Sequence, residues 1–143
     1  MERQEKAKLR ARFFASLIDY IVIMCFFIIF VYKYGEPKID GGYEVHGVKS
    51  LIPIGFWFIY LIVIESIFSF TVGHFIMGLK VVKDDYDRID FIDSLKRHLI
   101  DPIDFNFFGI VAMILIKNTA LNQRLGDIWA KTIVIKDTED NKK

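Results

Sequence analysis

Two unbroken apolar runs, each twenty residues long, constrain this chain more than any other feature. Residues 13–32 read FFASLIDYIVIMCFFIIFVY and residues 51–70 read LIPIGFWFIYLIVIESIFSF. Each carries one acid, Asp19 in the first and Glu65 in the second. As helices they would be about 30 Å long, the thickness of a bilayer's hydrocarbon core. A soluble domain with 53% hydrophobic residues would spread them in amphipathic stripes, and a core of 143 residues has no room to bury two such helices on every face. The pattern predicts an all-α membrane protein whose two spans form an antiparallel hairpin in the lipid bilayer. A carboxylate at such depth costs roughly 2.5–3.5 kcal/mol to insert, so Asp19 and Glu65 are expected to face protein or a watery cavity.

Charge placement sets the expected topology, where the net charge of +1 does not. Arg3, Lys6, Lys8, Arg10 and Arg12 precede the first run, and Lys80, Lys83, Arg88, Lys96 and Arg97 follow the second. Between the runs, Lys33, Lys38 and Lys49 are offset by Glu36, Asp40 and Glu44. This asymmetry predicts a multi-pass protein of the cell membrane with a cytoplasmic N-terminus and residues 33–50 outside. No cleaved signal peptide is expected, because the first run is too long for one and holds an acid. Cys25 is the single cysteine, so no intrachain disulfide can form.

A third apolar block, at 103–117, is shorter and opens with Asp104 and Asn106. If it crosses, the basic C-terminal stretch lies outside, against the charge rule; if it re-enters, that stretch stays cytoplasmic. Both readings stand. Re-entry would let two β-branched stretches, 79–82 and 130–136, pair as a small two-stranded cytoplasmic β element. Residues 39–43 suggest a hairpin turn, residues 89–100 a helix at the membrane surface ended by Pro102, and 137–143 a polar tail.

Three ordered motifs resemble the RDD family of small integral membrane proteins. RFFASLID at 12–19 looks like its opening motif, TVGHFIMGLKVV at 71–82 its glycine-punctuated segment, and NQRLGDIWAKTIV at 122–134 its C-terminal motif. The family takes its name from an arginine and two aspartates, which fall here on Arg12, Asp19 and Asp127. Basic residues often follow the position of Gly73 in the family, whereas this chain has His74 and Phe75. The resemblance spans residues 8–136 and implies one membrane domain over 1–136, with transport of ions or small ligands as the usual suggestion.

The residues also carry their own logic. Arg12 and Asp19 are seven apart, on one helix face but two turns distant, so each needs a partner elsewhere. Arg12 would snorkel to the headgroups while Asp19 points toward the cytoplasmic side. In a hairpin, Asp19 and Glu65 fall at matched depth, about 8–9 Å below the interface. Two such carboxylates cannot easily both ionise, so a shared proton or a bridging cation would make them an ion or proton site. The structural alternative is that each accepts bonds from Arg12, Arg97 or Arg124. Arg124 and Asp127 are three apart and can pair, or Asp127 can reach Arg12 and clasp the two ends of the chain.

Two functions remain in view. One is transport of a proton, monovalent cation or small ligand through Asp19 and Glu65, which needs a homo-oligomer or a partner membrane protein. The other is a non-transporting scaffold or assembly factor that docks partner membrane proteins. His46, His74 and His98 lack metal-ligand spacing, and the serines lack a nucleophile elbow, so no enzyme, metal or cofactor is expected. Gly73 and Gly78 only partly imitate a phosphate loop, since Leu79 stands where its lysine would be. Nothing suggests a nucleic-acid partner.

Overall fold

The computed structural model describes residues 6–102, 114, 116–119 and 121–137. Residues 9–34 contain neither glycine nor proline, and they form one 26-residue helix, α1 (Leu9–Tyr34). It stops at Gly35, whose amide closes the last turn onto the Val31 carbonyl at 2.8 Å. Glu36–Pro37 (β1) and Tyr43–Glu44 (β2) then pair antiparallel around the expected turn.

The second apolar run is one helical path, Gly47–Phe68, whose pitch changes along its length. A 3₁₀ turn, Gly47–Leu51, leads into α2 (Ile52–Trp57), a π-helical stretch (Phe58–Val63) and α3 (Ile64–Phe68). Pro53 lies in the first turn of α2, where its missing N–H costs no helical bond. In the π stretch the Ile64 amide bonds the Ile59 carbonyl. That wider turn puts Tyr60, Leu61 and Ile62 all on the buried side, which the 100° step of a regular helix would not. Ser69 ends the path in the left-handed region, at φ 64°.

Beyond it, α4 (Val72–Ile76) leads to β3 (Leu79–Lys83), which pairs antiparallel with β4 (Thr132–Lys136) from Leu79↔Lys136 to Lys83↔Thr132. The two β-branched stretches thus meet as the sequence suggested. The chain's start joins them, because the Ala7 amide donates to the Val134 carbonyl at 3.0 Å and Lys6 bridges Ile135. Ala7, Ala15, Leu79, Val81, Ile89 and Val134 form the main apolar core there. Two more helices, α5 (Phe91–Leu99) and α6 (Leu125–Ala130), pack on each other, and α5 packs on the second apolar helix. Gly126 makes that approach possible, since a Cβ would sit 2.4 Å from the Arg97 carbonyl oxygen.

The described residues are mostly helical, with two small two-stranded sheets among them. Its polarity is inverted along the long helices. Ile29 on α1 is 66% exposed and Asp19 only 4%. Helix α5 is inverted too: its Asp93, Ser94, Arg97 and His98 are buried, and Phe91, Ile92 and Leu99 face out. A helix at a water surface would present the opposite faces. The anticipated third span falls outside the described residues apart from Ile114, Ile116 and Lys117, as does the tail beyond Asp137.

Candidate functional site

The buried polar groups divide into two sites. The first is built on Asp19, about three turns into α1. Gly73 lies against this turn so closely that a Cβ would come within 2.0 Å of the Ala15 carbonyl oxygen. That contact delivers the Gly73 amide to Asp19 Oδ1 at 2.7 Å, and Tyr60, from the π stretch, donates to the same oxygen at 2.8 Å. Thr71 Oγ1 donates to Asp19 Oδ2 at 2.6 Å. Because the single hydroxyl proton of Thr71 goes to Asp19, its oxygen is left to accept from the His74 amide at 3.3 Å and from His74 Nδ1 at 2.7 Å. Nδ1 therefore carries the proton of a neutral imidazole. Burial pushes His74 down to about 3, which keeps it neutral although Nδ1 lies 3.8 Å from Asp19 Oδ2.

The second site is an ion cluster joining four stretches of sequence. Arg97 is its hub, 0% exposed, with Nε donating to Glu65 Oε1 at 2.7 Å. One terminal nitrogen of Arg97 donates to Asp127 Oδ1 and, at 3.0 Å, to Thr132 Oγ1. Arg12 donates to Asp127 Oδ2 and to the Asn122 carbonyl, the latter held by a left-handed Asn122. Arg124 reaches Asp127 Oδ1 at 3.5 Å and Asp101 Oδ1 at 3.0 Å, and its backbone amide donates to Asp127 Oδ2. His98 lies between two acids, with Nε2 3.1 Å from Glu65 Oε2 and Nδ1 2.5 Å from Asp101 Oδ2.

The electrostatics follow from those partners. Burial disfavours charge on Asp127, but Arg12, Arg97 and Arg124 together hold it well below the usual carboxylate range. Burial likewise opposes charge on Asp101, and Arg124 and His98 overcome it. For His98, burial is outweighed by Asp101 and Glu65, and its pKa is pushed up to about 9. Arg124 rises further above its ordinary value, as Asp101 and Asp127 more than offset its burial.

The residues singled out in the sequence are therefore distributed unevenly. Arg12, Arg124 and Asp127 come together in the cluster, and Arg12 is buried there rather than snorkelling to a headgroup, because Asp127 and the Asn122 carbonyl satisfy its guanidinium inside the protein. Asp19 and Glu65 share no hydrogen-bond partner among the described residues: Glu65 is held by Arg97, His98 and Ser94 Oγ, and Asp19 by Tyr60, Thr71 and Gly73. Tyr60, Thr71, His98 and Asp101 are the members that sequence reasoning passed over. For His98 and Asp101 a signal existed, because Asp93, Ser94, Arg97 and His98 form one polar face on a helix otherwise bearing Phe91, Ile92 and Leu99. Tyr60 and Thr71 carried none, since their partner Asp19 lies 41 and 52 residues away.

Among the described residues, no group of three His, Cys, Asp or Glu could hold a metal ion. No curated protein and no solved structure matches the chain. Its two long apolar helices and its inverted polarity point to a membrane protein. The family model of the RDD family matches residues 6–131, nearly the whole chain, and this protein belongs to that family.

Proposed function

We propose that this RDD protein takes part in moving a proton or a monovalent cation across the cell membrane, with Asp19 as the carboxylate that handles it. One observation carries the reading. Asp19 is the one buried carboxylate, among the described residues, with no lysine or arginine against it; Glu65, Asp93, Asp101 and Asp127 each have one. Its three donors are neutral and its neighbouring imidazole is neutral, so its charge is solvated but not cancelled. Such a group can take up a proton or a small cation without breaking an ion pair. Glu65, which Arg97 already neutralises, serves the fold in this reading, and no enzymatic step is assigned.

The topology proposed with it is an antiparallel hairpin with a cytoplasmic N-terminus. Asp19 meets Tyr60 and Phe26 stacks on Phe56 at 3.8 Å, so the contacts ascend one helix as they descend the other. Two helices cannot enclose a path, so the reading requires a second copy of the chain or a partner membrane protein.

Flux measured in proteoliposomes tests this proposal. The wild type should show flux driven by a pH or cation gradient. Asp19→Asn should abolish it while remaining monodisperse, and Glu65→Gln should instead lower the yield of folded protein. A wild type with no flux of protons or common monovalent cations would sink the transport reading and favour the scaffold.

A further inference from the structure

The hydrogen bonds beside Asp19 form a chain with a direction. His74 Nδ1 donates to Thr71 Oγ1 at 2.7 Å, and Thr71 Oγ1 donates to Asp19 Oδ2 at 2.6 Å. Both distances are within the reach over which a positioned group passes a proton. Thr71 is the N-cap of α4, and its bond from the His74 amide holds the imidazole over the hydroxyl. The chain ends at His74 Nε2, which makes no hydrogen bond among the described residues. Of the three residues His74 is the most exposed, at 6%.

This chain can reverse without losing a bond. A proton taken up on Nε2 releases the one on Nδ1 to Thr71 Oγ1, whose own proton passes to Asp19 Oδ2. Asp19 then donates to Thr71, and Thr71 donates to Nδ1, which has become an acceptor. The imidazole is neutral before and after, having changed tautomer, and the same steps in reverse recover the proton. The charged groups facing His74, besides Asp19, are Glu65 of α3, Arg97 of α5, Arg12 of α1 and Arg124 beside α6. Burial and the arginines oppose a resting charge on the ring, so it passes a proton on without keeping it. The same geometry disfavours a metal cation. Tyr60 and Thr71 turn hydroxyl hydrogens toward the carboxylate, and Gly73 turns an amide hydrogen. A cation needs oxygen lone pairs in those directions; the hydroxyls would have to turn away, and the amide has none to offer.

We propose that the ion Asp19 carries is a proton, and that His74 and Thr71 relay it between Asp19 and the protein surface at α4. This rests on the reading of Asp19 as the transporting carboxylate and adds to it the ion and the route.

The test reads proton movement with a pH dye trapped in proteoliposomes of the full chain, under a pH gradient and again under a sodium or potassium gradient. Thr71→Val and His74→Asn should each slow it at least about a hundredfold, the lower end of what a positioned proton-transfer group contributes. Asn at this position keeps an N–H for Thr71 but has no second ring nitrogen to take up a proton. Thr71→Ser, which restores the hydroxyl, should retain the movement. Loss in Asp19→Asn with retention in monodisperse Thr71→Val and His74→Asn would overturn the relay and leave Asp19 as the carrier. Cation flux with no proton movement would overturn the choice of ion, and no flux of either kind would sink this inference together with the reading beneath it. Should the variants misfold, the wild type decides by its histidine ¹⁵N shifts. As Asp19 gains a proton, seen as a neutral carboxyl band in the infrared, His74 should pass from the Nδ1–H to the Nε2–H tautomer. An imidazole that keeps its tautomer while Asp19 is protonated would overturn the relay.

Discussion

At the scale of single residues, the site around Asp19 depends on an atom that is absent. Gly73 lets the chain after the second apolar helix lie directly on α1, and its amide is one of the three donors that solvate the carboxylate. An added Cβ would meet the Ala15 carbonyl oxygen at 2.0 Å and the Asp19 carboxyl carbon at 2.8 Å, both fixed by helix backbone or by hydrogen bonds. Overpacking of a rigid contact typically costs about 3 kcal/mol at its upper range. Gly73→Ala should therefore lower the melting temperature in detergent far more than Gly55→Ala, which meets nothing within 4 Å. Equal effects of the two substitutions would show that the contact is looser than its geometry requires. Arg97 makes the complementary point about presence: one guanidinium serves Glu65, Asp127 and Thr132, a fan of donors that a lysine's single nitrogen cannot reproduce.

At the scale of elements, α5 is a nine-residue helix that would be marginal alone, and two features hold it. Its polar face enters the ion cluster, and its start is closed by a reciprocal capping box. The Asp93 amide donates to Asp90 Oδ1 at 2.9 Å and the Asp90 amide to Asp93 Oδ2 at 3.0 Å. Asp90→Ala removes the cap and is expected to cost about 1 kcal/mol, read as a lower midpoint in thermal unfolding with the flux unchanged. The pitch change in the second apolar helix is a second element-scale device. It turns Tyr60 toward Asp19, and its Ile62 carbonyl accepts from Ser94 Oγ of α5 at 3.0 Å. One irregular stretch thereby connects α1, the second apolar helix and α5.

At the scale of the whole molecule, buried histidines give stability an opposing pH dependence on each side of neutrality. His98 lies between Glu65 and Asp101, with its folded pKa raised from 6.5 to about 9. Its contribution is complete below about 6.5 and is lost as pH rises through about 9. His74 behaves oppositely: its folded pKa is lowered from 6.5 to about 3, so its contribution is complete above 6.5 and declines as pH falls toward 3. Asp101 and Asp127, also lowered, add to the loss in acid. Thermal unfolding in detergent should show the wild type losing stability from neutral to alkaline pH, and His98→Gln should flatten that alkaline decline. A slope unchanged in the variant would mean that His98 does not carry the charge its partners imply.

The sequence by itself determined the class and the coarse plan. Twenty-residue apolar runs are legible because the cost of exposing or burying a helix depends on composition summed along a local window. The β3–β4 pairing was legible because β-branched runs are local, and Arg12 and Asp127 stood out through the motifs that resemble the RDD family, with Arg124 three residues before Asp127. Tertiary structure alone decided the partners. Matched depth suggested that Asp19 and Glu65 act together, but depth fixes one coordinate and leaves rotation about each helix axis free. The π stretch and the Gly73 contact set that rotation, directing Asp19 to neutral donors while Glu65 meets Arg97 and His98. These contacts join residues 30 to 115 positions apart, and no periodicity within a single helix encodes them.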